Sequence, residues 1–223
     1  MSLSCSGMET SNNYQRYSMN KRKIIIAGLC ILTALTVGCK MEGVSPERAL
    51  SLPVGSDYQG GVVAYVLQPG DAGYVAGECH GLIAAAADLN AGSSLGVPWI
   101  PGDEALFSGI TDTALNTGEA NTEDIVIFYN SVPDPGFYAA QCCLDFTNPD
   151  TGTGVYDDWY LPSQDELNKL YINKDAVGGF NSSFYWSSSE ADLNNACAQS
   201  FGSGEQEEKD KLEDARVRPV RAF

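Results

Sequence analysis

Apolar and polar positions alternate along this chain in short bouts rather than in long helical periods. Gly61-Val62-Val63-Ala64-Tyr65-Val66-Leu67 is a β-rich apolar run stopped by Gln68-Pro69-Gly70-Asp71. Pro fixes one φ and Gly frees the next, so a strand followed by a turn is predicted. His80 to Ala87 is a second apolar run, whose length suits a helix or a buried strand equally. Asn121-Thr122 before Glu123-Asp124 reads as a helix start with acids in the first turn, against the positive dipole end. Ile125, Phe128 and Tyr129 then share one face. Pro133 and Pro135 break the chain before a second helical pattern aligning Phe137, Ala140 and Leu144, and Asn148 to Asp158 is a Gly/Asp/Thr loop.

The best local signal follows. Trp159-Tyr160-Leu161 is strand-like, Pro162 ends it, and Ser163-Gln164-Asp165-Glu166 is a capping box that satisfies free backbone donors reciprocally. Leu167, Leu170 and Tyr171 form the buried stripe of the short helix beyond, which Gly178-Gly179 closes. Phe184-Tyr185-Trp186-Ser187 is an aromatic strand and Ala196 to Phe201 another, with a turn at Gly202-Ser203-Gly204. An acidic segment, Glu205 to Asp214, leads to a last strand over 216–223. Pro219 cannot donate to a ladder, which places that strand at an edge or a bulge. Strands and helices do not alternate regularly, so the fold class is α+β rather than a doubly wound sheet.

The front of the chain reads as an address. Lys21, Arg22 and Lys23 precede an apolar run from Ile24 to Val37 that ends at Gly38-Cys39, the pattern of an export signal. The run is about 14 residues long, short of the roughly 20 that cross a bilayer as a helix, which disfavours the alternative of an uncleaved anchor. Leu35-Thr36-Val37-Gly38-Cys39 resembles the bacterial lipoprotein box, with Thr36 in place of the usual Leu. That resemblance implies cleavage before Cys39 and lipid on Cys39, with palmitate among the acyl groups. The expected organisation is an upstream extension over 1–18, a signal over 19–38, a tether over 39–54 and one domain over 55–223. The expected location is the bacterial envelope, at the outer membrane or cell surface.

Charge sharpens this picture. The chain of 223 residues carries 13 Lys plus Arg against 29 Asp plus Glu, a net charge of −16. Cleavage would remove Arg16, Lys21, Arg22, Lys23 and Glu9, leaving 9 bases against 28 acids and a net charge of −19. No Lys or Arg occurs between Arg48 and Lys169. Neutralising phosphates needs a basic face, so nucleic acid is excluded as a partner, and anionic lipid is excluded as a partner of the folded part. Export also bears on the cysteines. Cys79, Cys142, Cys143 and Cys197 remain after Cys5, Cys30 and Cys39 are set aside. An even number in an oxidising compartment allows up to two disulfides, of unreadable connectivity.

Little in the chain resembles catalytic chemistry. Gly77-Glu78-Cys79-His80-Gly81 superficially matches a nucleophile elbow. The elbow needs strand, turn and helix with a separate His, and the only His is His80, adjacent to the Cys. One His and scattered Cys give no metal-ligand pair at helical or CxxC spacing, so no metal or other cofactor is expected. Arg216, Arg218 and Arg221 stand out in so acidic a chain. They are expected to pair with the domain's own carboxylates and fix the terminal strand, the alternative being a clamp on a ligand carboxylate. Trp159, Tyr160, Tyr185 and Trp186 are expected in the core, with sugar stacking as the alternative.

Three blocks carry a family resemblance. Trp159 to Leu167, Tyr185-Trp186-Ser187-Ser188-Ser189-Glu190 and Arg216-Val217-Arg218-Pro219-Val220-Arg221-Ala222-Phe223 resemble the signature of the Lcl C-terminal domain family. Tyr58-Gln59-Gly60-Gly61 and His80-Gly81-Leu82-Ile83-Ala84-Ala85 extend the likeness over roughly Gly55 to Phe223. The family takes its name from a collagen-like bacterial adhesin. The resemblance implies a C-type-lectin-like fold of short antiparallel strands and a few short helices. No collagen-like Gly-X-Y tract is present here, so no trimeric stalk is implied. The likeness directs attention to Asp192, Asn194, Asn195, Gln199, Ser203, Glu205, Gln206, Glu207, Glu208 and Asp210 as candidate ligand-binding loop residues, the alternative being a solvated rim with no ligand. Lectin-like folds often use calcium, for which Asp145, Asp150, Asp157 and Asp158 are weak candidates. The reading that results is a lipid-anchored, non-catalytic surface module for a protein or a neutral glycan. An enzyme on the same fold (a hydrolase or a formylglycine-generating-type oxidase) and a structural envelope lipoprotein are the alternatives.

Overall fold

Residues 81–84 settle as a strand because alternate side chains have apolar destinations on opposite faces. In a computed structural model, which describes residues 52–89, 96–102, 106–131, 136–149 and 155–223, β3 (Gly81–Ala84) is buried throughout. Leu82 and Ala84 enter one cluster with Val62, Tyr160, Leu167, Leu170 and Val220, while Ile83 and Ala85 turn to the opposite face against Trp159. The two-residue period of a strand produces that division. The expected signal, Cys39 and most of the tether lie outside the described residues.

β3 sits inside a four-stranded antiparallel sheet of order β1-β2-β3-β9, with β1 at Asp57–Tyr58, β2 at Gly61–Val66 and β9 at Val220–Ala222. The β2–β3 register shifts between Val63 and Tyr65. The last strand is shorter than the sequence predicts and lies at the sheet edge. Pro219 stays out of the ladder as a donor and takes the Ala85 N–H on its carbonyl at 2.9 Å. A second antiparallel sheet runs β6 (Phe184–Glu190), β7 (Asn195–Ser200) and β8 (Gln206–Asp210). The acidic segment is therefore a strand over most of its first half rather than a loop. A small pair, β4 (Asn148–Pro149) with β5 (Val155–Tyr156), completes the strands among the described residues.

Four helices are described. α1 spans Gly118–Tyr129 and begins earlier than the acid pair at 123–124 predicts, with Thr117 at its N-cap. Asn121 and Thr122 are buried inside it: the Asn121 amide donates to the Asp112 carbonyl, and Thr122 Oγ1 accepts the Leu161 N–H at 3.0 Å. Tertiary partners for these two polar side chains replace the capping role their type favours. α2 (Ala139–Leu144) buries Ala139, Ala140 and Cys143, whereas Phe137 precedes the helix and is 72% exposed, so the predicted apolar stripe does not form.

α3 (Gln164–Ile172) starts on the capping box. Ser163 Oγ accepts from Glu166 N at 3.3 Å and Glu166 Oε2 accepts from Ser163 N at 2.8 Å. A cap of this kind stabilises by about 1 kcal/mol. Leu167 and Leu170 are buried and Tyr171 is half-buried against Phe201. α4 (Lys174–Val177) follows at once and ends at Gly178. Trp99, Trp159 and Trp186 are fully buried, and each removes roughly 150–250 Å² from water. Their indole N–H groups donate to the carbonyls of Ser187, Tyr156 and Val97.

Candidate functional site

The described residues include seven cations, Lys169, Lys174, Lys209, Lys211, Arg216, Arg218 and Arg221, and every one of them is buried or half-buried. Each has a destination inside the fold. Arg218 is sealed from water; its Nε donates to Asp88 Oδ1 at 2.8 Å, its two terminal nitrogens reach the Ala85 and Gly179 carbonyls, and its plane lies 4.1 Å from the Phe180 centroid. Arg216 Nη1 reaches the other oxygen of Asp88 at 3.3 Å, which also accepts from the Tyr185 hydroxyl at 2.9 Å. Arg221 grips Asp158 with two parallel bonds of 2.6 and 2.7 Å and stacks 4.2 Å from Tyr156. Such a fork is the strong form of the Arg–carboxylate pair. Lys211 is fully buried on Glu190, Lys209 meets Glu213, Lys174 donates to the Phe201 carbonyl, and Lys169 lies over the Tyr65 ring.

The exposed charges of the second sheet and its turns are consequently mostly acids. Glu205, Gln206, Glu207, Glu208 and Asp210 are exposed on or beside β8, and Ser203 is exposed in the β7–β8 turn. Asp192 and Asn194 are exposed in the β6–β7 turn, with Asn195 half-buried. Asp192 Oδ1 accepts the backbone N–H groups of Asn194 and Asn195 at 2.7 and 2.8 Å. Hydrogen bonds from the Asn195 side chain and these N–H groups hold the Asp192 carboxyl below its ordinary range. Gln199 differs from its expectation as a loop residue. It is buried in the middle of the sheet face under α3, where its amide donates to Asn168 Oδ1 at 2.9 Å and to the Gly204 carbonyl.

Glu166 is the other buried acid of note. Its Oε1 accepts the Asn116 N–H at 2.9 Å and faces the Tyr160 hydroxyl at 3.3 Å. Burial pushes its carboxyl up to about 7, against four hydrogen bonds that pull it down. α1 approaches so closely that a Cβ on Gly118 would stand 2.2 Å from Glu166 Oε2.

No elbow forms at 77–81: the segment leads into strand β3 instead of rising from a strand into a helix. His80 turns Nε2 to Glu78 at 2.7 Å and Nδ1 to the Phe223 carbonyl at 3.2 Å, and the Glu78 carboxylate raises its pKa. The disulfide expectation is not met, for Cys79, Cys142, Cys143 and Cys197 are all free thiols. They sit on different parts of the fold: Cys79 before β3, Cys142 and Cys143 on α2, and Cys197 opposite Glu208 in the second sheet. Burial pushes Cys142 up to about 11 and raises Cys143 and Cys197.

Among the described residues no three of His, Cys, Asp and Glu come together as a metal site. Of the calcium candidates, Asp158 is taken by Arg221, Asp145 accepts from the Gln141 amide at 2.8 Å, Asp157 is exposed, and Asp150 lies outside the described residues. Two open hollows, of about 450 and 440 Å³, lie beside Phe180 and Phe184, and neither is lined by Cys or His.

Sequence reasoning missed Asp88, the buried Glu190 and the inward turn of Lys211. The signal was the scarcity of cations: a chain with so few has each available as an internal partner.

No curated protein matches the chain. The crystal structure of a fimbrial protein from Bacteroides ovatus ATCC 8483 aligns with 64% of this chain at 18% identity and a TM-score of 0.42. The chain spans only 35% of that protein's length. The three sequence blocks at 159–167, 185–190 and 216–223 fall within or at the end of one further match, whereas Tyr58–Gly61 and His80–Ala85 precede it. Residues 117–221, a little under half of the chain, match the family model of the Lcl C-terminal domain, and over that segment the chain is similar to this family.

Proposed function

We propose that this chain is a lipid-anchored bacterial surface protein whose domain, a C-type-lectin-like scaffold, binds a protein or a neutral glycan without catalysing a reaction. One observation carries the reading: every described Lys and Arg is spent inside the fold, while the polar side chains that the turns at 191–194 and 201–205 and strand β8 offer to solvent are mainly acids and amides. The internal ion pairs make the scaffold rigid, and rigid scaffolds presenting polar loops are how binding surfaces are commonly built. The same face repels polyanions. Cys39 carries the lipid, and the acidic mature chain stays soluble beside the membrane.

The test is a binding screen of the chain from Cys39 to Phe223 against neutral glycans, sulfated glycans and proteins, together with heparin chromatography. Saturable binding to a neutral glycan or a protein, with no heparin retention at physiological salt, is the expected result. Heparin retention, or a turnover that disappears when Cys79 or His80 is replaced in a folded chain, overturns it. Palmitate labelling of cells, lost in C39A, tests the anchor, and protease shaving of intact cells tests exposure.

A further inference from the structure

Three loops meet at the ammonium of Lys211. Its Nζ donates to the carbonyls of Asp192 at 2.7 Å, Leu193 at 2.9 Å and Leu106 at 3.3 Å, and stands 6.0 Å from the Phe107 centroid. Glu190, the partner of Lys211, holds the same loop from the other side, accepting from Ser108 N, Ser108 Oγ and Gly109 N. The backbone is thus pinned from beneath, and the side chains above it point outward. Leu106 is 40% exposed, Phe107 51%, Leu193 51% and Leu212 44%. These are four of the eight large apolar side chains exposed among the described residues; the Leu106 and Leu193 carbonyls and the Phe107 ring meet the buried Lys211 ammonium, and Leu212 follows Lys211 in the chain. Apolar groups that cluster on a surface mark an interaction site more often than scattered ones.

The rim says what fits. Asp192 precedes Leu193 and is exposed, and Asp210 is exposed with its Oδ1 on the Leu212 N–H at 2.9 Å. Glu213 and Asp214 are exposed directly after Leu212. Among the described residues no exposed cation accompanies them, since Lys211 is sealed and Lys209 is half-buried. A second copy of this chain would bring a like charge to a like charge, at a net −16 each. We propose that the patch of Leu106, Phe107, Leu193 and Leu212 docks a segment of another protein that combines apolar and basic side chains. This rests on the reading of the chain as a binding module and specifies its partner. The apolar side chains fill the patch and displace its water, and the basic ones meet Asp192, Asp210 and Glu213.

The test uses the full chain and a labelled synthetic peptide of alternating Leu and Lys, with Ser–Lys and Leu–Glu peptides for comparison. The Leu–Lys peptide binds, and both comparison peptides bind at least about tenfold more weakly, as does the Leu–Lys peptide to the L193S/L212S variant. These positions are exposed, so the variant keeps its melting temperature. Independently of any variant, the peptide slows amide exchange at 106–109 and 192–194 in the wild-type chain. Equal binding of the Ser–Lys peptide, unchanged binding to the variant, or protection elsewhere overturns the proposal. A dimer in sedimentation that L193S/L212S abolishes does so as well, by making a second copy the occupant. A glycan or protein from the screen that L193S/L212S still binds leaves the module reading standing and removes only the patch. A screen with no ligand of any class removes the module reading itself.

Discussion

Lys211 and Glu190 form an ion pair in which neither side chain reaches water, with Nζ 2.5 Å from Oε1. Desolvating two charges is costly unless the remaining donors and acceptors are filled. Here they are filled: the ammonium gives its other hydrogens to backbone carbonyls and faces the Trp99 ring at 5.3 Å, and the carboxylate accepts from Ser108 and Gly109. The pair fastens the loop at 106–109 and the β6–β7 turn to the end of β8.

Replacing one partner strands the other. K211M is expected to lose about 3–5 kcal/mol of stability, because an uncompensated carboxylate stays buried. Urea unfolding measures it, and a loss below 1 kcal/mol would show that Glu190 is reached by water. Amide exchange at Ser108 and Gly109 should accelerate in the same variant.

Asp88 joins Arg216, Arg218 and Tyr185, and only 4% of its side chain is exposed. D88N keeps the shape and removes the charge, leaving the sealed Arg218 guanidinium without a counterion. The expected cost is about 3–5 kcal/mol. R216K, at a half-buried position, should cost less than D88N. Equal losses in denaturant midpoints would contradict this division of labour at Asp88.

Glu166 sets a pH dependence. Its folded pKa is raised from 4.5 to about 7, so the folded state holds the proton more tightly than the unfolded chain does. The stability that this proton contributes is fully present below pH 4.5 and is lost as pH rises through 7. The loss amounts to about 3 kcal/mol. Unfolding midpoints of E166Q across pH 5–8 should lack this fall. Parallel wild-type and variant curves would refute it.

Burial protects three thiols. Cys142, Cys143 and Cys197 have raised pKa values because burial disfavours the thiolate, and the thiolate is the reactive form. Iodoacetamide at pH 8 should label these three slowly in the native chain and promptly in urea. Mass spectrometry reads the sites, and fast native labelling of Cys143 would place that thiol at the surface.

The capping box of α3 was legible because its two partners are three residues apart, and local chemistry decides it. The buried aromatics at 159–160 and 185–186 were legible as dense apolar blocks. Asn121 and Thr122 misled for the opposite reason: their side chains favour caps, but distant partners at Asp112 and Leu161 hold them inside α1. Gln199 looked like a loop residue by its polarity, and only the packing of α3 over β7 gives its buried amide an acceptor on the half-buried Asn168.

By itself the sequence determined the α+β class, the acidity of the surface and the blocks that resemble the Lcl C-terminal domain, since composition and short-range spacing are written in the chain. Only the tertiary structure decided where the cations go. Asp88 lies more than a hundred residues before Arg216 and Arg218, and Leu106 a similar distance before Lys211. Electrostatic pairing acts through space, so a charge's partner is known only once the chain has folded around it.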